Sequence, residues 1–402
     1  MRLKHACEDA GQYGLNVSPD EYTTDGIRLL RTSDISALGL KGADQGVFLT
    51  GPIDTRHVLR EHDILLSRAG TIGRSYLVGP DGAGSTFAGF LVRFRPNRAA
   101  DPRFLQYALD SRPVQEAIRS EAVVSTIQNF NADRYANLIL PDLPLARQRR
   151  IADFLDDRAG RLDQIITARR KQQAAAVEQF EAARAAAVSA PEWPERRLSQ
   201  VARMGTGHTP SRSNDEYWQD CTIPWLTTGD VHRFRQDQID VLENTSVKIS
   251  DVGLRNSAAV LHPAGTVALS RTASAGFSIV MGADMATSQD FATWTCGDDL
   301  VPEFLLHALR ARRSFLLDYL SMGSTHKTIY FPDLMDLTVG LPTTEVQRSV
   351  VAEVARCGQA RDRMLADLGR QTALLAEYKT SLITAAVTGE LDVTTARSGI
   401  PA

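Results

Sequence analysis

The chain has 402 residues, 43% of them hydrophobic and 23% charged, with a formal net charge of −3. That length exceeds one ordinary core and suits two domains with something between them. The small negative charge excludes a uniformly basic nucleic-acid coat but leaves room for a local basic face.

No apolar run is long enough to span a membrane, and the start MRLKHACEDAGQYG lacks the apolar core of a signal peptide; a soluble cytoplasmic protein is expected. Cys7, Cys221, Cys296 and Cys357 lie far apart, with no Cys-x-x-Cys pair and no histidine at zinc-ligand spacing. They read as reduced core thiols, and no metal site is expected.

In chain order, the first unit covers 1–144. Ile64 to Ser67 and the alternating FLVRFR at 90–95 are predicted strands, and FLQYALDS follows Asp101-Pro102 with apolar residues at helical spacing. A long helix is predicted over 145–189, opening with LARQRRIADFLDDRAGRLDQII, until the Pro-rich APEWPE at 190–195 ends it. The second unit, 195–342, repeats the scheme with strands at Thr266–Ser270 and Phe277–Val280 and the helical FLLHALRA after Val301-Pro302. A second long helix follows over 343–388, where Thr344 and Gln347 have capping-box spacing, and then a tail at 389–402. The fold class is α+β.

The scheme repeats because the sequence does. Arg2-Leu3 recurs as Arg197-Leu198, PDEY at 19–22 as NDEY at 214–217, and IRLLRTSDI at 27–35 as IPWLTTGDV at 223–231. DILLSRAGTIG at 63–73 matches TVALSRTASAG at 266–276, which aligns Ser67-Arg68 with Ser270-Arg271, and FLQYAL at 104–109 matches FLLHAL at 304–309. In the long helices Gln148 falls on Gln347 and Asp163 on Asp362. Met1 falls on Arg196, just after the place where the second half has Trp193. A few residues of the first unit are therefore expected to be missing or never needed.

A heptad register through the same offset places Ile151, Leu155, Leu162 and Ile165 in the seam of the first helix. It places Val350, Val354, Cys357, Met364, Leu368, Leu375, Tyr378 and Leu382 in that of the second. At 1.5 Å per residue each helix would be a rod of about 60–65 Å, too long to lie inside either unit. The economical arrangement pairs the two antiparallel, as a coiled coil with pseudo-two-fold symmetry. Such a rod belongs to no globular core; two separate surface helices are the alternative.

TPSRSNDEYWQDCTIPWLTTGDV at 209–231, LSRTASAGF at 269–277, LPLARQRRIADFLD at 143–156 and SLITAAVTGELDV at 381–393 together resemble the specificity subunits of type I restriction-modification systems. The resemblance covers nearly the whole chain. One departure is that Arg147 and Val346 stand where the family usually has a glutamate before the helix-opening glutamine. The resemblance implies a non-catalytic DNA reader in which 1–144 and 195–342 are target recognition domains, each reading one half of a split DNA sequence. The helices would set the spacing and dock two methyltransferase subunits. Restriction subunits could join these. S-adenosylmethionine, ATP and Mg are expected on the partners and none on this chain.

Within that frame the candidate DNA contacts are polar residues in loops that the repeat makes equivalent. They are Ser67, Arg68, Thr71 and Arg74 against Ser270, Arg271, Thr272 and Ser274, and Thr126, Gln128, Asn129 and Asn131 against Thr325, His326 and Lys327. In the glycine-bearing GTGHTPSRS at 205–213 they are His208, Thr209 and Arg212. The arginines could instead lock strand ends through carboxylates, and the Asn and Thr residues could form turns.

An enzyme reading competes. No Asn/Asp-Pro-Pro-aromatic loop is present, and AGTIG at 69–73 has the wrong spacing for a dinucleotide or P-loop turn. Asp367 with Glu377-Tyr378-Lys379 lies on the heptad helix, which makes a sheet-edge metal nuclease site implausible, and His57 and His62 read as surface histidines. A purely structural coiled-coil adaptor is the third reading, and two full globular units argue against it.

Overall fold

The computed structural model describes all residues except 37–38, 124–128, 273, 323–326 and 395–402. It divides into two compact units, Met1–Gln172 with Asp367–Ala402, and Gln173–Ala366. The division falls inside both long helices, Leu145–Ala187 and Thr344–Thr388, so each unit owns part of each helix. No helix among the described residues is long and apolar enough to cross a membrane.

In unit 1 a four-stranded sheet runs in the order Gln12–Tyr13, Leu91–Phe94, Ile64–Ser67, Ser75–Leu77, all antiparallel. A smaller sheet has Ile27–Leu30 at its centre, antiparallel to Val47–Leu49 and parallel to Thr86–Phe87. Successive strand residues face opposite sides. Ile64, Leu66, Val92 and Phe94 therefore enter a core with Phe104, Leu105 and Tyr135, while Leu65 and Leu91 join Leu30, Val78 and Phe87 on the other side. Burial on both faces explains why Ile64–Leu66 reads as an unbroken apolar run rather than an alternation.

Unit 2 repeats this plan. Its main sheet runs Ala202–Thr206, Phe291–Cys296, Val267–Ser270, Ser278–Met281, with Val241–Leu242 added in parallel at the edge. Its small sheet has Ile223–Leu226 between Lys248–Ile249 and Ala286–Thr287. Val267, Leu269 and Trp294 face the helix Pro302–Ala311, and Ala268, Ile279 and Phe291 face Leu226 and Phe234. The equivalent short helix of unit 1 is Pro102–Asp110, whose N-cap Asp101 accepts from the amides of Arg103 and Phe104.

The two long helices are antiparallel within each unit. In unit 1 Lys379 meets Asp163, and the Gly389 backbone lies beside Arg147. In unit 2 Gln173 donates to the Leu365 carbonyl and Phe180 lies against Gly358. The expectation that the long helices belong to no core changes: Ile151, Ala152, Leu155, Ile383, Ala386 and Val387 pack in the unit 1 core, and Phe180, Val350 and Val354 in that of unit 2. What looked too polar for a core has a wet outer face and a well-buried inner one.

The seam also differs from the heptad register. Met364 and Tyr378 are half exposed and Cys357 is exposed, whereas Ile166 is buried and Ile165 only partly so. Ile151, Leu155, Leu162, Val350, Val354 and Leu368 are buried as expected, while Leu375 and Leu382 are partly buried. The physical reason is the period. A strict heptad drifts about 20° per repeat against an α-helix of 3.6 residues per turn. The inward line in the first helix is Gln148, Ile151, Leu155, Ala159, Leu162, Ile166, and in the second Gln347, Val350, Val354, Gly358, Arg361, Leu365. These are the same places in the repeat.

Gln347 does not form a capping box with Thr344. Its Oε1 accepts from the Val301 amide at 2.8 Å and its Nε2 donates to the carbonyls of Asp299 and Pro342, both at 2.8 Å. Gln148 ties the Asp101 amide, at 2.9 Å, and the Leu143 carbonyl, at 2.8 Å, in the same manner. Each buried amide thus fastens a long helix to the start of a short one. His57 is not a surface residue: it is buried against Phe87, and burial lowers its pKa. His62 is exposed.

Candidate nucleic-acid interface

Arg68 and Arg271 each follow an inner strand of their main sheet. The Arg68 amide donates to the Phe90 carbonyl at 2.9 Å and its carbonyl accepts from Phe130 at 3.0 Å; Arg271 does the same with Asp290 and Ile329, both at 2.8 Å. Their guanidiniums then bridge to neighbouring loops. Arg68 donates to Asn129 Oδ1 at 3.1 Å and the Gly89 carbonyl at 3.4 Å. Arg271 donates to the carbonyls of Gln289 at 3.1 Å and Ile329 at 3.3 Å. Both lock their loops through carbonyls or an amide rather than through carboxylates.

Each arginine also rests on an aromatic ring, Arg68 on Tyr13 at 4.8 Å and Arg271 on Phe331 at 4.5 Å. Sequence reasoning missed both rings because they occupy different positions in the two halves. The aromatic residues beside the arginine loops in space were the available signal, and they are distant in sequence.

The preceding serines are buried and satisfied internally: Ser67 donates to the Ala69 carbonyl at 2.9 Å and Ser270 to that of Thr272 at 3.3 Å. Behind Ser67, the buried Tyr135 hydroxyl donates to the Ser67 carbonyl at 2.6 Å and accepts from the Gly73 amide at 2.9 Å, while burial pushes its pKa up. Gly73, at φ 81°, makes the bend in a conformation that favours glycine, close against Gln115 and Ile118. Thr71 is exposed, and Arg74 donates to the Ile35 carbonyl at 2.8 Å. Thr272 bonds Asp290, and the Ser274 amide donates to the Thr272 carbonyl at 2.6 Å.

Of the second loop pair, Asn129 bonds Arg68 and Asn131 caps the helix Ala132–Ala136 through the Arg134 amide at 2.9 Å. Lys327 is exposed, donating to the Leu317 carbonyl at 3.0 Å and lying 3.5 Å from Asp318. Thr126, Gln128, Thr325 and His326 lie outside the described residues. In the third stretch Gly207 abuts the Thr287 carbonyl, where a Cβ would collide. His208 is exposed, Thr209 donates to Gln289 Oε1 at 2.7 Å, and exposed Arg212 lies over Trp218 at 5.8 Å. Gln289 thus joins Thr209 to Arg271 in unit 2.

Asp34 and Asp230, in the similar blocks at 27–35 and 223–231, are buried caps of their own turns. Asp34 accepts from the Arg31 amide at 2.9 Å, and Asp230 from the Thr227 amide at 3.1 Å. Similarity between the halves there reflects folding. No group of three or more metal-ligating side chains occurs among the described residues.

Residues 191–354 match the family of type I restriction modification DNA specificity domains. Over 160 residues, 40% of the chain, the sequence is 24% identical to the type I restriction enzyme MjaIX specificity subunit of Methanocaldococcus jannaschii. That match spans 36% of the relative's length. Among solved structures, a chain from work on complex assembly and conformational transition of the type I R-M system shares the fold, with TM-score 0.71, 19% identity and 97% of both chains covered.

Proposed function

We infer that this chain, which carries a type I restriction modification DNA specificity domain over residues 191–354, is the DNA-reading subunit of a type I restriction-modification complex. Its two globular parts, taken as 1–144 and 195–342, each read one half of a bipartite double-stranded target. The paired helices set the distance between the halves and dock two methyltransferase subunits, to which restriction subunits are added. The chain itself is non-catalytic; S-adenosylmethionine is bound by the methyltransferase subunits, and ATP and Mg by the restriction subunits.

The observation that carries this reading is the arginine frame built twice. Arg68 and Arg271 hold the same backbone bonds in their own units, yet the side chains around them differ: Asn129 and Tyr13 in one, Gln289, Thr209 and Phe331 in the other. A common scaffold with unlike polar groups suits two unlike half-sites, because sequence is read by base-edge contacts while the scaffold only positions them.

The test is to map methylated adenines across the genome of a host carrying the chain with its neighbouring methyltransferase, and again without the chain. A split motif that disappears with the chain is expected. Methylation of the same motif without it would overturn the assignment.

A further inference from the structure

Unit 1 contains a groove of about 720 Å³ walled by Thr71–Leu77, the helices Pro102–Asp110 and Arg112–Val123, and the unit 1 portions of both long helices. Most of its acids are already engaged. Asp156 accepts from Arg103 at 2.6 Å and the Tyr107 hydroxyl at 2.8 Å, and Asp163 accepts from Lys379. Asp110 is partly buried and accepts from Ser75 at 2.5 Å and Gln106 at 3.1 Å, with its pKa raised by desolvation.

Arg112, Arg119 and Arg170 remain. All three are exposed, line the groove, and have no carboxylate partner among the described residues. Arg74, held by the Ile35 carbonyl, adds a fourth guanidinium, against the two groove carboxylates that make no ion pair among the described residues, Asp110 and Glu116. In a chain of net charge −3 this is a local positive excess. In the groove of unit 2 most arginines are paired: Arg310 and Arg313 meet Asp237, Arg310 also meets Asp240, and Arg361 meets Asp362, while Arg235 lies over the Phe277 ring.

We propose that the unit 1 groove grips the sugar-phosphate backbone of duplex DNA beside the first half-site through Arg112, Arg119 and Arg170, without reading sequence. This rests on the DNA-reading function proposed above. Three features select a phosphodiester backbone. The groove is continuous with Thr71 and Arg74 of the candidate base-reading loop. Guanidiniums match phosphate oxygens with two donors at once. Arg112 and Arg119 stand seven residues apart on one helix, a rise of about 10.5 Å. Over that distance one strand of DNA advances by about three phosphates, so each arginine can take its own.

The test uses the full chain assembled with its methyltransferase subunits. Binding is measured over a range of salt concentrations on the mapped target and on an unrelated duplex. Replacing Arg112, Arg119 and Arg170 by Gln should weaken both duplexes by the same factor. It should also lower the slope of log K against log salt by about 0.9 for each phosphate contact removed. Arg119→Lys, which keeps the charge, should restore most of the loss that Arg119→Gln causes.

An unchanged slope, or a loss confined to the target, would overturn the proposal. So would folded variants that fail to assemble, since a partner protein would then occupy the groove. A wild-type complex that selects a split target while the variants behave identically sinks the groove alone; a wild-type complex with no split target sinks the function beneath it.

Discussion

Lys379 donates to both carboxylate oxygens of Asp163, at 2.7 and 2.6 Å, and so fixes the register of the two long helices in unit 1. The pair is partly exposed, at 23% and 37%, so solvent screens it. A double-mutant cycle of Asp163→Ala and Lys379→Ala, read by denaturant unfolding, should give a coupling of about 0.5–1 kcal/mol that shrinks with salt. Zero coupling at low salt would remove the pair from the register.

The inward line predicts a contrast between neighbours. Leu155→Ala and Ile383→Ala, in the unit 1 core, should each cost about 2–5 kcal/mol. Met364→Ala and Tyr378→Ala, half exposed, should stay within about 0.5 kcal/mol. Equal losses at all four positions would restore the strict heptad seam.

Gln148 and Gln347 are buried amides that hydrogen-bond to backbone groups of their own units. Gln148→Leu or Gln347→Leu strands a buried backbone N–H and at least one carbonyl. Each should lower stability by about 1–3 kcal/mol. A neutral effect would mean that the short helices do not depend on this tether.

How much of this was legible in the sequence follows from where each signal resides. The repeat aligned Gln148 with Gln347 and Arg68 with Arg271, and those pairs do hold matching bonds. Pattern and proline position were enough for the strands at Ile64–Ser67 and Val267–Ser270 and for the long helices, because both signals are local. The seam was misplaced at Ile165, Cys357, Met364 and Tyr378 because a strict heptad drifts against an α-helix of 3.6 residues per turn. Tyr13, Phe331 and Gln289 were invisible because they meet the arginines only through the fold. Arg184 on the first long helix is buried and paired with Asp237, a contact that also arises only through the fold.

That buried cluster carries a pH dependence. Asp237, a non-glycine residue at φ 53°, meets Arg184 at 2.9 Å and Arg313 at 2.6 Å. Burial pushes its carboxyl up, but Arg310, Arg313 and Arg184 outweigh this and hold it below the ordinary value. His307, facing Asp240, Arg310, Arg184 and Asp237, is lowered to about 4, chiefly by burial.

The unfolded chain takes up the His307 proton near pH 6.5 and the folded one only near pH 4. Stability is therefore full above about pH 6.5 and falls as pH drops to about 4, by at most about 1.4 kcal/mol per pH unit for one proton. The Asp237 contribution is present above its ordinary carboxylate value and is lost only as pH falls through its lower folded value. Unfolding of wild type and His307→Gln between pH 4 and 7 separates the two: the variant should show a flatter profile there. An unchanged slope would place the titration elsewhere.

Arg68→Ala and Arg271→Ala should each impair one half-site only. Each loses a loop brace together with the proposed base contact, and discrimination at that half should fall by about 1–3 kcal/mol. Uniform weakening on all sequences would assign the arginine to phosphate. The measurement is competition binding with duplexes altered in one half at a time.

The central claim, that two readers on a fixed spacer recognise one split sequence, is tested most directly by selecting bound duplexes from a fully randomised library with the assembled complex. Two conserved blocks separated by a gap of constant length are predicted, with Arg68→Ala relaxing one block and Arg271→Ala the other. A single continuous motif, or two blocks at freely varying separation, would contradict it.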